Sequence, residues 1–126
     1  MNLTDLTEYA NRIELLTLTV EQIKKDFDLY GMEIHFSGNE NSAYEELTSQ
    51  ISPYIENLLN SNYEKFLSLL YRIDVPEKKL SQIIMHSIDV KVLEISDLII
   101  KRELQKVVIR TYYKENENRN HQDELE

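Results

Sequence analysis

The sequence has no cysteine and no tryptophan, and it contains only two glycines and two prolines. Without cysteine the chain has no disulfide, no thiolate zinc site and no cysteine nucleophile. Two glycines are too few for a Gly-rich phosphate loop or a dinucleotide-binding turn. A β-sandwich or barrel needs many turns, which are built from glycine and proline. Their scarcity favours helices joined by short polar links.

Long hydrophobic runs are also missing, and the longest are three residues, such as 98–100. A membrane-spanning helix needs about 20 apolar residues, so we expect no segment to cross a membrane. The N-terminus carries acids from Asp5 onward and no basic region, unlike a signal peptide. We therefore expect the protein to lie in the cytoplasm.

A length of 126 residues, with 41% hydrophobic and 29% charged residues, is typical of one small globular domain. The net charge of −9 is uneven. Residues 1–62 hold 11 acids and 3 bases, residues 63–113 hold 7 acids and 9 bases, and residues 114–126 hold 5 acids and 2 bases. We predict one helical domain at 1–113 and an acidic, disordered tail at 114–126.

The first third of the chain contains two helical patterns and one alternating pattern. Apolar spacing predicts a first helix over 3–16. Thr19 and Gln22 have the spacing of a capping box, which predicts that a second helix begins there and ends at Gly31. Apolar and polar residues alternate over 32–36, so this stretch is either a strand or an extended connector.

The middle of the chain repeats capping patterns. Ser42 with Glu45 predicts the start of a helix, and Pro53 predicts a kink or a restart with Ser52 as the new cap. Ser61 with Glu64 predicts the start of the next helix.

The corner "LSLLYRIDVPEKKL" joins two helical patterns. Asp74 and Glu77 have capping-box spacing and Pro76 suits a first turn, so Asp74 is predicted to open a helix. Arg72 stands two residues from Asp74, which suggests a local ion pair across the corner. Residues 88–95 fit either a strand or a connector, and a last helix is predicted over 97–113. The fold class is therefore all-α, a single-domain bundle or orthogonal array of five to six short helices, with one short extended segment near 32–36.

Catalytic and metal-binding patterns are not found. The three histidines are scattered and lack the spacing of a helical metal site. Asp26 and Asp28 are two residues apart on a helix, so their side chains diverge and do not share a substrate. We therefore predict no catalytic residue, no metal, no cofactor and no identifiable small-molecule ligand, and interpret the chain as a non-enzyme.

Two groups of residues are candidates for partner binding. Arg102, Lys106 and Arg110 are spaced as one helical row, which Tyr113 continues and Lys101 flanks. The row can meet the chain's own acidic half, an acidic partner helix or a nucleic-acid backbone, and we favour the first because such rows are usually solvated faces. The second group is Tyr71 with Arg72, since tyrosine is enriched at protein interfaces.

The segments "FLSLLYRIDVPEKKL" and "ISDLIIKRELQKVVIR" resemble a group of small bacterial proteins that share a Leu-Leu-Tyr-Arg-Ile-Asp corner and a basic last helix. The resemblance covers residues 19–113. It implies a helical fold and a bacterial cytoplasm, and it carries no activity or ligand.

The functional hypothesis is a non-enzymatic interaction or regulatory module that binds another protein or a second copy of itself. An acidic front half and a basic last helix motivate it, because such a charge distribution favours docking on a charged partner. The alternative is association with nucleic acid through the basic face of the last helix.

Overall fold

A computed structural model describes the backbone of residues 6–125 and the side chains of residues 12–114, 116 and 117. It is a single all-α domain, as the sequence predicts, and residues 6–125 contain no strand. The α-helices are α1 (Leu6–Asp28), α2 (Ala43–Ser61), α3 (Tyr63–Ile73), α4 (Glu77–Ile83) and α5 (Ile88–Leu125), and a 3-10 helix at Glu40–Ser42 precedes α2.

Helix α1 is one continuous element where the sequence predicts two. Thr19 is only 2% exposed, and its hydroxyl donates to the Leu15 carbonyl at 2.7 Å instead of capping a new helix. The apolar face continues through Val20 and Ile23, and its burial keeps the backbone helical. The predicted end is confirmed, because Gly31 has φ +81° in the turn that follows. The predicted start at residue 3 lies outside the described residues.

Residues 32–36 are a connector. Ile34 is buried, which explains the alternating pattern. The side chain of Gln50 takes the place of a pairing strand: its Oε1 accepts from the His35 N–H at 2.8 Å, and its Nε2 donates to the His35 carbonyl at 2.7 Å. An amide side chain thus satisfies the extended backbone without a sheet.

Helix α2 passes through Pro53 without a restart, so the prediction of a new cap at Ser52 is wrong. Buried side chains lie on both sides of the proline, including Ile51 and Ile55, while Pro53 itself is exposed. Packing of this face against the core keeps the backbone helical through the proline. Ser52 instead shares a 3.0 Å hydrogen bond with Ser96 of α5.

The corner between α3 and α4 ends one helix and does not start the next. Asp74 has φ 67° and ψ 49°, and its N–H donates to the Leu70 carbonyl at 2.9 Å, which makes it the C-cap of α3. The prediction that Asp74 opens α4 is therefore wrong. At the other end of α3, the side chain of Asn62, and not Ser61, accepts from the Lys65 N–H.

Helix α5 begins at Ile88, so 88–95 is neither strand nor connector. Its 38 residues give a length of about 57 Å. The backbone is helical to Leu125, beyond Tyr113, where we predict the domain to end. The disorder predicted for 114–126 stays a prediction.

The core forms where α1, α2 and α3 pack against α5. Its largest fully buried apolar side chains come from all four helices: Phe27, Phe66, Ile23, Leu47, Ile51, Ile55, Leu69, Ile73, Ile95, Ile99 and Val107. Helix α5 is the central element, and it brings its basic row to the junctions with α1 and α3.

Candidate functional site

Arg72 and Asp74 do not pair with each other. The Nε of Arg72 donates to Oδ1 of Asp26 in α1 at 3.0 Å, while Asp74 accepts from Nη2 of Arg102 at 2.8 Å. The left-handed turn at Asp74 separates its side chain from Arg72, so the predicted local ion pair is wrong. The two charged residues of the corner therefore pair with other helices, Arg72 with α1 and Asp74 with α5.

The basic row of α5 is largely engaged within the molecule. Each of its cations has a partner: Lys101 with Asp97 at 2.7 Å, Arg102 with Asp74 at 2.8 Å, Lys106 with Glu103 at 2.6 Å and Asp26 at 3.8 Å, and Arg110 with Gln22 at 3.1 Å. Only Asp26 and Gln22 belong to the acidic front half. The row therefore meets a mixture of acidic and amide groups: Asp97 and Glu103 lie on α5 itself, and the other partners belong to distant parts of the chain.

The structure brings together a buried acidic pair that sequence patterns did not identify. Asp26 of α1 is 2% exposed and Glu103 of α5 is 0% exposed. Asp28 is exposed, so it diverges from Asp26 as predicted. A signal was present for both acids: Asp26 lies three residues after the buried Ile23, and Glu103 lies between the buried Ile99 and Val107 at helical spacing. Both fall on apolar faces.

Asp26 is surrounded by donors. Besides Arg72, the Nε2 of Gln22 donates to Oδ2 at 3.1 Å, and the ammonium of Lys106 lies 3.8 Å away. Burial is the largest single effect, and it raises the pKa of Asp26. Together, four favourable interactions outweigh burial and leave the pKa below its usual value: hydrogen bonds from Glu103 and Gln22, the charge of Lys106 and the hydrogen bond from Arg72. Asp26 is therefore ionised at neutral pH.

Glu103 has the opposite environment. The pKa of Glu103 is raised to about 8, mainly by burial and further by a hydrogen bond with Asp26 and by the negative charge of Asp26. Lys106 acts in the opposite direction. The ammonium of Lys106 lies 2.6 Å from Oε1. Even so, neither Glu103 oxygen is in hydrogen-bond geometry with any donor among the described side chains. Burial beside Asp26 therefore favours the protonated form of Glu103.

Two carboxyl groups with opposite pKa shifts are the arrangement that general acid–base catalysis uses. Here both are packed inside the helix interface, and a catalytic group must be within reach of a substrate. The interpretation of the chain as a non-enzyme stays a prediction. Among the described residues, no group of three or more His, Cys, Asp or Glu side chains is placed to hold a metal ion.

An open cleft of about 590 Å³ lies beside the acidic pair, between α1 and α5. Leu18 and Val107 form its apolar part, and Arg110 in its wall donates to Gln22, which in turn donates to Asp26. The remaining lining residues are Glu14, Glu21, Lys25, Thr111 and Lys114. With cations and acids intermixed, the cleft selects neither sign of charge.

The outer face of α3 exposes a row of large side chains, which we call the α3 ridge: Tyr63, Leu67 and Tyr71. They are four residues apart and therefore lie along one line of the helix surface. Their exposed fractions are 48%, 42% and 89%. The ring of Tyr63 contacts that of Phe66 with centroids 5.7 Å apart, which anchors one end of the ridge to the core. Tyr71 was predicted as a contact residue, but the ridge as a whole was not.

The charges of α3 are sorted between its faces. The bases turn away from the ridge, because Lys65 lies over the Tyr54 ring, 6.0 Å from its centroid, and Arg72 bonds to Asp26. Glu64 is exposed and stands three residues before Leu67, on the ridge side. Asp74 follows the ridge with a side chain that is 77% exposed. The ridge thus has the exposed Glu64 beside it, while the carboxylate of Asp74 at its end is paired with Arg102.

Tyr113, the last residue of the predicted basic row, is 64% exposed. Its ring packs edge-on against Tyr112, with centroids 6.1 Å apart. The candidate residues are therefore divided among three places: Arg72 and Lys106 contact the buried acids, Lys101, Arg102, Arg110 and Tyr113 lie elsewhere on α5, and Tyr71 lies on the α3 ridge.

No protein-family model, curated protein or solved structure matches this chain. In the described part of the chain, every helix is too short or too polar to span a bilayer.

Proposed function

We propose that the protein is a non-enzymatic module of the cytoplasm that binds another protein through the α3 ridge. The observation that carries the proposal is Tyr71, a tyrosine that is 89% exposed at the end of an exposed row of large side chains on α3. Tyrosine is enriched at interface hot spots because it buries a large area at little cost in conformational entropy.

The partner we infer is an amphipathic helix with basic flanking residues. Side chains four residues apart form a ridge that fits the groove of a second helix. Glu64 beside the ridge, together with a net charge of −9, favours Lys or Arg on that helix. The same charge disfavours a second copy of this chain as the occupant.

The alternative function, nucleic-acid association, depends on the basic row of α5. Arg102, Lys106 and Arg110 each have a hydrogen-bonding or ionic partner within the chain. Binding to phosphates would require these cations to exchange those partners. The alternative therefore has less support than the ridge.

The experiment is site-specific photo-crosslinking in cells that produce the protein. A photoreactive amino acid at position 71 is expected to give one adduct heavier than the chain, and Leu67→Asp should abolish it by placing a charge in the middle of the ridge. Mass spectrometry of the adduct should identify a helical peptide with an apolar row and basic flanks.

The matched control is Leu93→Asp, since Leu93 is 56% exposed on α5, outside the ridge. This variant should leave the adduct intact. An adduct of twice the chain's mass would replace the proposed partner with a second copy. An adduct with nucleic acid, or no adduct at all, would contradict the proposal.

A further inference from the structure

We propose that Asp26 and Glu103 form a proton-binding site, at which one shared proton carried by Glu103 holds α5 against α1 at neutral pH. This inference is independent of the α3 ridge. It starts from geometry: two carboxyl groups from different helices are each almost fully buried, and the ammonium of Lys106 lies 2.6 Å from Glu103 and 3.8 Å from Asp26.

A proton on Glu103 resolves a hydrogen-bonding deficit. Carboxylates only accept hydrogen bonds, so two ionised carboxylates in contact repel each other, whereas a protonated carboxyl donates to its neighbour. Asp26 already accepts from Arg72 and Gln22 and is the member held in the ionised form. Among the described donors, none satisfies the Glu103 oxygens. If one Glu103 oxygen carries a proton and donates it to Asp26, that oxygen gains a hydrogen-bond partner.

Few charged side chains surround Asp26 and Glu103. Asp26 from α1 and Lys106 from α5 face Glu103 directly, and Arg72 from α3 reaches the pair through Asp26. The other charged contacts to α5 involve different residues. From α2, Tyr44 meets Asp97, which also pairs with Lys101. His86 in the turn before α5 meets Glu94, and Asp74 at the α3–α4 corner meets Arg102.

The rival arrangement follows from the same cluster. If Lys106, at 2.6 Å from Oε1, neutralises an ionised Glu103, the cluster holds two acids and two bases and needs no extra proton. The two arrangements differ in proton count. Of the two, only the shared-proton arrangement makes the contribution of this cluster to folding depend on pH in the neutral range.

The direction of that dependence is set by linkage. The pKa of Glu103 is about 8 in the fold against an ordinary 4.5, so the folded chain keeps a proton that the unfolded chain loses. The stabilising effect of this proton is complete below the ordinary value and is lost as the pH rises through the folded value. One proton changes the folding equilibrium constant by about tenfold per pH unit across that interval. The pKa of Asp26 is lowered, so its contribution to stability is constant at neutral pH and is lost only as the pH falls into the acidic range.

The test is urea unfolding of the full chain between about pH 5 and about pH 9, where the linkage operates. Relative to Glu103→Gln, which keeps a neutral side chain at all pH values, the wild type should lose about tenfold in its folding equilibrium constant per pH unit up to about pH 8. The control Glu56→Gln removes an exposed glutamate of α2 and should follow the wild type. Parallel curves for the wild type and Glu103→Gln would overturn the proposal.

A second measurement holds even if Glu103→Gln does not fold. In the wild type, the carboxyl carbon of Glu103 should titrate by NMR with a midpoint near pH 8. Asp26→Asn should lower that midpoint, because it removes the neighbouring negative charge that favours the protonated form. A midpoint in the ordinary glutamate range would establish the Lys106 ion pair in place of the shared proton.

Discussion

Asp74 shows how one residue changes role once its backbone conformation is known. Its spacing to Glu77 is that of a helix start, but its φ of 67° places it in the left-handed region that ends α3. Aspartate tolerates this region better than most residues, because its short side chain bonds locally. Here the Asp74 carboxylate and carbonyl also accept from Arg102 at 2.8 Å.

Replacing Asp74 by Ala and by Gly separates the backbone from the ion pair. Both variants lose the carboxylate that pairs with Arg102, so the difference between them reports the cost of a Cβ at positive φ. We expect Asp74→Ala to be less stable than Asp74→Gly by about 1 kcal/mol. Urea unfolding of the two variants measures this difference, and equal stabilities would show that φ is not positive in solution.

At the scale of elements, the ends of the helices depend on which polar side chain actually faces the open N–H groups. Ser61 and Asn62 are adjacent and both are good capping residues. The side chain of Asn62 accepts from the Lys65 N–H at 3.1 Å, whereas the hydroxyl of Ser61 donates backward to the Asn57 carbonyl at 2.6 Å. Ser61 is the last residue of α2, and Asn62 caps α3.

The pair of variants Asn62→Ala and Ser61→Ala tests this assignment. Loss of the Asn62 cap should lower the free energy of unfolding by about 1 kcal/mol. Ser61→Ala should change it by less, because the Asn57 carbonyl it leaves is exposed to water. Thermal unfolding of both variants provides the comparison. A larger loss of stability for Ser61→Ala than for Asn62→Ala would show that Ser61 is the cap.

At the scale of the whole molecule, two Arg–Asp pairs connect distant parts of the chain in different environments. Arg72 joins α3 to Asp26, whose side chain is 3% exposed, and Arg102 joins α5 to Asp74, whose side chain is 77% exposed. Removing the partner of a buried carboxylate is costly, while an exposed pair contributes little. The buried pair therefore contributes more to holding the bundle together.

Arg72→Ala and Arg102→Ala form a matched test of that difference. We expect Arg72→Ala to lower the free energy of unfolding by about 2 kcal/mol, less than the usual cost of breaking a buried ion pair, because Gln22 and Lys106 remain beside Asp26. Arg102→Ala should cost about 1 kcal/mol or less. Equal losses in urea unfolding would mean that Asp26 is solvated in solution.

The all-α class, the end of the second helical pattern at Gly31 and the divergence of Asp26 and Asp28 follow from the sequence alone. They depend on composition and on local periodicity, and both are properties of the chain itself. The capping patterns at Thr19, Ser61 and Asp74 were misleading, since several nearby residues can cap a helix and their spacing does not indicate which side chain faces the open N–H groups.

Only the tertiary structure decided which charges meet. Arg72 has Asp74 two residues away, yet it pairs with Asp26, 46 positions distant, and Asp26 in turn meets Glu103. Sequence spacing indicates which side chains share a helix face. It does not indicate which two faces pack together, and that packing removes water from Asp26 and Glu103, shifts their pKa values in opposite directions and leaves the α3 ridge outside.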